Sequence, residues 1–397
     1  MSTIETENSL GITFCDRLPL AFTHGSGTSV WDEAGKAYLD FTSGWGVTCL
    51  GHSHPVVVST LAAQAGRLMQ NPNSGFTYSP ARARLLQTLQ RVLPLNLTNT
   101  YFCNSGAEAN DAVLKLARKI TGKRKVVTTL GSFHGRSFNT LAVSRGVENT
   151  NRYLPAMPDV VFVPHGDLAA MALAIDSGTA AVIVEPVQGE GGVRIPDESY
   201  LAAVQALCAD KGALLIVDEI QTGFCRTGKF FAIEHSPSPI KPDMMTMAKG
   251  IAGGFPFAAF AVSAEVNAAI QKDDHGGTYC GNPLGCALAD AVITYLDRHN
   301  IASRVQLSGS FLLQSLYRLM ETFPSLIRQV RGLGLLTAIE FHDHAQARTV
   351  TLACAEHGLL VVPTRNGIIR LLPDLLVTRK DMETAVATMG EILRAAA

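Results

Sequence analysis

No run of apolar residues in this 397-residue chain is long enough to cross a membrane as a helix. The apolar stretches at 182–184 and 214–217 have strand length and run into carboxylates. Charge of either sign is not in excess: 33 Lys and Arg face 34 Asp and Glu, a formal net charge of −1. That excludes the basic field a nucleic-acid binder needs and the charged block of a disordered tail. No two cysteines have Cys-x-x-Cys spacing. The eight are scattered at 15, 49, 103, 208, 225, 280, 286 and 354, as in a reduced, cytoplasmic protein with core thiols rather than a disulfide framework or a metal site. The first eight residues are polar and contain no apolar signal segment. Internal repeats and low-complexity segments are absent too.

What is present is core. The chain is 47% hydrophobic and 17% charged, and its length suits two domains. Short apolar runs at 125–128, 160–163, 180–185 and 213–218 alternate with helical patterns. Between the last two runs, Tyr200, Leu201, Val204, Leu207 and Cys208 fall at helical spacing and Gly212 closes the segment. Continuous apolar strands separated by helices imply an α/β fold with a mostly parallel sheet covered on both faces. Ligands gather at the C-terminal strand ends of such sheets, where Glu185 and Asp218 stand. From about residue 285 the texture changes. Two helical faces precede short strands at 335–341, 359–363 and 368–372, and a last helix carries Met382, Val386, Met389 and Leu393. This reads as a smaller α+β domain.

Lys249 sits in an apolar stretch that opens into glycines, 31 residues after Asp218, which ends the buried run Leu214-Leu215-Ile216-Val217. A lysine in apolar surroundings loses its proton near neutral pH and becomes a nucleophile. A buried acid needs a cationic partner. Pyridoxal phosphate satisfies both, with its aldehyde for the amine and its ring nitrogen for the carboxylate.

Other motifs are weaker singly. Ser105-Gly106-Ala107-Glu108 has capping-box spacing, common to many helix starts. Its small residues also suit a phosphate at a helix N-terminus. In Phe133-His134-Gly135-Arg136 the aromatic suits a flat ring and Arg136 a carboxylate; a packed loop is the plain alternative. Glu190 lies in a glycine-rich turn, where it is either a turn residue or a carboxylate beside a cationic ligand. Gln221 follows Asp218, and Thr278 lies in a turn-rich stretch. Arg370 ends an apolar strand, where an edge arginine facing solvent is the plain alternative.

In order and together, these segments resemble the class III, or ω-amino-acid, aminotransferases of the pyridoxal-phosphate fold type I superfamily. They are most similar to the acetylornithine and ornithine branch. The resemblance runs from about Leu20 to Leu393. It includes Gly51-His52-Ser53-His54-Pro55, the segment 103–110, the segments 185–192 and 217–228, the lysine segment 247–254, and Val330-Arg331-Gly332-Leu333-Gly334. It implies a large cofactor domain at 51–285, a small C-terminal domain at 286–397, and an N-terminal segment, 1–50, packing with the small domain. It further implies Lys249 as Schiff-base lysine, Asp218 on the ring nitrogen, Gln221 on the ring hydroxyl and Phe133 stacked on the ring. Ser105, Gly106 and Ala107 would bind phosphate. Thr278 would reach the phosphate of a neighbouring subunit, making a homodimer with shared active sites. Arg370 would bind a substrate carboxylate, pairing with Glu190 when an ω-amine donor is bound, and Arg136 would hold a second carboxylate. The implied reaction moves an ω-amino group from an acetylornithine- or ornithine-like donor to 2-oxoglutarate, giving glutamate.

The chain departs from the family pattern around the substrate. Trp45 replaces a tyrosine at the pocket, the segment 73–78 with Phe76 differs from the usual, and Tyr279-Cys280 and Ala258 are unusual. A different ω-amine donor, or a pyridoxal-phosphate reaction such as decarboxylation or racemisation, is the alternative within the superfamily. A cofactor-free binding protein is the alternative outside it.

Overall fold

The structure is a computed structural model that describes residues 1–146, 159–364 and 366–396. Its centre is a seven-stranded sheet of β4 (Leu97–Cys103), β5 (Lys125–Thr129), β6 (Val160–Val163), β7 (Thr179–Val184), β8 (Leu214–Asp218), β9 (Met244–Met247) and β10 (Ala258–Ser263). The spatial order is β4-β10-β9-β8-β7-β5-β6. Only β10 runs against its neighbours, so the sheet is mostly parallel. Every residue of β7 is buried, as the unbroken apolar run requires of a strand covered on both faces. The helix Gly106–Thr121 starts on Ser105, whose Oγ accepts the Glu108 N–H at 3.1 Å. The helix Tyr200–Lys211 ends at Gly212, which takes the left-handed conformation at φ +61°.

Two four-stranded sheets flank this core. One joins β1 (Phe22–Ser26), β2 (Ser29–Asp32) and β3 (Ala37–Asp40) to β13 (Leu359–Leu360), so the N-terminal strands share a sheet with the C-terminal region. The other has the order β11 (Ile327–Leu333), β12 (Leu336–Phe341), β15 (Ile368–Leu371), β14 (Val362–Thr364), and all its pairs are antiparallel.

The structure corrects three expectations. The run 359–363 is not one strand: it divides between β13 and β14, which belong to different sheets. Arg370 is not an edge residue, because β15 lies between β12 and β14 and leaves Arg370 no exposed surface. Finally, β9, β10 and β11 carry no strand signal that sequence periodicity picks out. Met244-Met245-Thr246-Met247 and the alanine-rich β10 have weak intrinsic β preference, and their neighbours in the sheet make them strands. Among the described residues no helix is long and apolar enough to cross a membrane.

Candidate active site

Parallel strands bring their C-terminal ends to one edge of the sheet, and the candidate residues collect there. Asp218 ends β8. Glu185 follows β7, Phe133 and His134 lie on the loop after β5, and Lys249 opens a short turn, Lys249–Ala252, after β9. The helix begun by Ser105 follows β4. A cavity of about 440 Å³ is lined by Ser105, Gly106, Ala107, Phe133, Arg136 and Lys249, among others. A smaller space shares Phe133, Ile220 and Lys249 as walls and adds Glu185, Glu190, Asp218 and Gln221.

Lys249 has φ +47°, a left-handed conformation that costs a non-glycine residue and is found where surrounding structure imposes it. Burial lowers its ammonium pKa to about 8, against the pull of Glu190, with Arg370 lowering it further. The neutral, nucleophilic amine therefore becomes the majority form as pH rises through about 8. In apoprotein, capture of an aldehyde reagent at Lys249 should reach half its maximal rate near pH 8 and slow about tenfold per unit below it. Mass spectrometry after borohydride trapping checks both the site and the pH profile.

Asp218 is 3% exposed. Its Oδ2 accepts from Asn110 Nδ2 and His134 Nδ1, each at 2.7 Å, and its Oδ1 accepts the Ile220 N–H at 3.0 Å. The adjacent Glu219 turns away from the cavity. It takes the Ile233 N–H at 2.9 Å and the Thr222 hydroxyl, and burial raises it to about 7. Glu185 accepts the Phe133 N–H at 3.2 Å on one oxygen. Its other oxygen is buried without a partner among the described residues. Burial, reinforced by Asp218, holds its carboxyl well above the usual range.

Arg370 donates through Nη2 to Glu190 Oε1 at 2.6 Å and through Nη1 to Gln221 Oε1 at 3.1 Å. Burial works against the Glu190 charge, but Arg370 and Lys249 hold the carboxyl below its ordinary value. Gln221 is thus a partner of Arg370, and its buried Nε2 has no acceptor among the described residues.

The remaining candidates divide. Arg136 lines the larger cavity, with its guanidinium carbon 5.9 Å from the Phe133 ring centroid. Trp45 and Phe76 do not line it. Trp45 is 57% exposed in a left-handed turn and Phe76 is 96% exposed. Thr278 is exposed as well; its carbonyl accepts from the side chains of Ser74, at 2.5 Å, and Gln70. Sequence reasoning gave no role to Asn110, His134, Ile220 or Thr246. Asn110 and His134 stood inside motifs already noted, but nothing local says that either side chain meets Asp218.

The donor set fits pyridoxal phosphate. Its aldehyde, ring nitrogen and phosphate need, respectively, an amine that gives up its proton far more readily than an ordinary lysine, a buried carboxylate and a helix N-terminus with free N–H groups. Lys249, Asp218 and the Gly106–Thr121 helix supply them. At Gly106 a Cβ would meet Ile220 Cδ1 at 2.7 Å and Cγ2 at 3.1 Å, so any larger residue there would have to displace the Ile220 side chain.

The model of the family described as aminotransferase class-III matches residues 15–393. An acetylornithine aminotransferase of Methanopyrus kandleri is 39% identical over 379 residues, covering 96% of this chain and 95% of its own. An ornithine aminotransferase structure from Toxoplasma gondii superposes with a TM-score of 0.93 at 30% identity, covering 99% of this chain and 94% of its own. An acetylornithine aminotransferase structure from Elizabethkingia anophelis gives 0.86 at 31% identity, covering 99% and 98%. With Lys249, Asp218 and the start of the Gly106–Thr121 helix at one sheet edge, the chain belongs to the class III aminotransferases, pyridoxal-phosphate-dependent enzymes of fold type I.

Proposed function

We propose that this aminotransferase moves the ω-amino group of an acetylornithine- or ornithine-like donor to 2-oxoglutarate, releasing glutamate. The observation that carries this reading is the buried Arg370–Glu190 pair beside Lys249. One site must accept a donor that presents an ω-amine and an acceptor with two carboxylates. A guanidinium paired to Glu190 is neutral toward the first, and released from Glu190 it binds the second. The names of the relatives at this level of similarity support the donor class.

Bound pyridoxal phosphate supplies the electrophilic carbon that takes up the amino group and the ring that absorbs negative charge. The chain's residues do the rest. Lys249 Nζ takes and returns the proton at the reacting carbon, and its lowered pKa suits both directions. Asp218 keeps the ring nitrogen protonated. Phe133 covers a ring face, and Gln221 Nε2 is the donor available to the ring hydroxyl. The N–H groups of Gly106 and Ala107 hold the phosphate with the Ser105 hydroxyl, whose proton stays free because its oxygen caps Glu108. Arg136 serves a second substrate carboxylate.

We further read the working unit as a homodimer in the cytoplasm, with Thr278 facing the neighbouring subunit's phosphate. The exposed apolar set Phe76, Tyr78 and Tyr279, 96%, 99% and 65% exposed, supports a covered surface there. Trp45 and Phe76 would then line the site from that side. Eight free thiols, seven of them buried, support a reducing compartment. In this reading 51–285 is the cofactor domain, 286–397 is the small domain, and the first 50 residues are an N-terminal segment that packs with it. The helix Pro283–Arg298, packed on Pro55–Ala65 and Pro80–Gln90, crosses the junction of the two domains.

A panel of amine donors assayed by glutamate formation from 2-oxoglutarate tests the reaction. N-acetylornithine or ornithine should exceed short α-amino acids in kcat/KM by about 100-fold or more. A panel led by an α-amino acid would refute the donor assignment.

A further inference from the structure

Asn110 has no exposed surface, and all of its amide is engaged. Nδ2 donates one hydrogen to Asp218 Oδ2 at 2.7 Å and the other to the His134 carbonyl at 2.8 Å. Its Oδ1 accepts from the Thr246 hydroxyl at 2.7 Å. Thr246, also fully buried, stands opposite Asp218 in the β8–β9 register. An amide turned the other way would set its oxygen against a carboxylate oxygen and a carbonyl oxygen in a fully buried position. Asp218 and the His134 carbonyl, which only accept, set the orientation in which Asn110 is a donor, and the Thr246 hydroxyl, donating to Oδ1, holds the amide in place.

We infer that Asn110 and Thr246 are positioning residues for Asp218, with Thr246 fixing the Asn110 amide and Asn110, together with His134, fixing the carboxylate. Two donors occupy Oδ2, whereas among the described residues Oδ1 takes only the Ile220 N–H. Oδ1 thus keeps the accepting capacity that a ring N–H needs. Asn110 lies one turn into the helix that begins with Gly106 and Ala107. One rigid element therefore sets both the phosphate cradle and the anchor of Asp218, and with them the span between the two ends of the cofactor. The charged and titratable groups around Asp218 are His134 from the loop after β5, Glu185 after β7 and Lys249 after β9. The helix contributes the neutral Asn110. The inference rests on Asp218 as the ring-nitrogen partner.

Thr246→Val removes the hydroxyl at nearly constant volume, and Thr246→Ser keeps it. Each holoenzyme is assayed for kcat and KM, for the pH midpoint of the bound cofactor's absorbance, for cofactor affinity by titration of the apoprotein, and for melting temperature. Thr246→Val should lower kcat on the order of 10-fold with donor KM nearly unchanged. It should also move the absorbance midpoint, and Thr246→Ser should restore both. Asn110→Asp, which sets a second carboxylate on Oδ2 and forces the two acids to share a proton, should move the midpoint further and weaken cofactor affinity. A Thr246→Val enzyme that melts earlier but keeps the wild-type midpoint and kcat overturns the inference, as does a loss that Thr246→Ser does not restore. Asp218→Asn separates the two levels. If it is inactive while Thr246→Val is normal, only the positioning role falls; if Asp218→Asn itself is fully active, the ring-nitrogen role falls too.

Discussion

Lys249→Ala leaves a folded protein that binds pyridoxal phosphate and transfers no amine. The loss in kcat should be at least about 10⁴-fold, since the variant lacks both the nucleophile and the group that moves a proton at the reacting carbon. Folding should survive, because Lys249 Nζ has no hydrogen-bond partner among the described residues. Removing an amine whose pKa is depressed also removes a cost. In the folded chain the ammonium is disfavoured, so wild-type stability is reduced below about pH 8 and recovers as pH rises toward the ordinary lysine value of 10.5. The variant should therefore be at least as stable as wild type at pH 7, with the difference fading above about pH 10. Glutamate production followed over hours, with denaturant melts at both pH values, checks the claim. Turnover near the wild-type rate would remove Lys249 from the chemistry.

Arg370→Ala should have the second-largest effect, with a size that depends on the substrate. Its guanidinium is the cation against which Glu190 is held, and the Arg370 side chain has no exposed surface. Truncation leaves Glu190 without its partner. That costs stability of about 3 kcal/mol, which Glu190, 27% exposed, reduces by drawing on solvent. For catalysis, kcat/KM for 2-oxoglutarate should fall about 100- to 1000-fold, the range for losing a buried charge partner. An amine donor without an α-carboxylate should lose far less, since it meets Arg370 neutralised by Glu190. Stopped-flow measurement of the two half-reactions separates the effects. Equal losses in both halves would place acceptor recognition elsewhere. Glu190→Gln makes the converse case, lowering the ω-amine half-reaction while sparing the acceptor half.

How much of this was legible in the sequence depends on the distance over which each feature is encoded. Glu185 and Asp218 were visible because an unbroken apolar run ending in an acid is a local pattern, and Lys249 because an apolar stretch opening into glycine is another. The pairing of Arg370 with Glu190 joins residues 180 apart, and its contact with Gln221 spans 149. The family resemblance suggested the first and assigned Gln221 elsewhere. Trp45 and Phe76, expected at the pocket, stand on exposed turns of the single chain. Whether a second subunit brings them to the site is part of the dimer proposal and is written in no single chain's packing.

By itself the sequence determined the family and the α/β class with its mostly parallel sheet, and it singled out Lys249 and Asp218 as candidates, because all of these are carried by short motifs and by hydrophobic runs. Only the tertiary structure decided the surroundings of that acid. Strand order sets β9 beside β8, so Thr246 faces Asp218. The helix after β4 lies where Asn110 can reach both, and the loop after β5 delivers His134 to the same oxygen. Hydrogen bonds between residues more than 80 positions apart follow from which strands are neighbours, and neighbours in a parallel sheet are fixed by crossover connections and packing rather than by any local pattern.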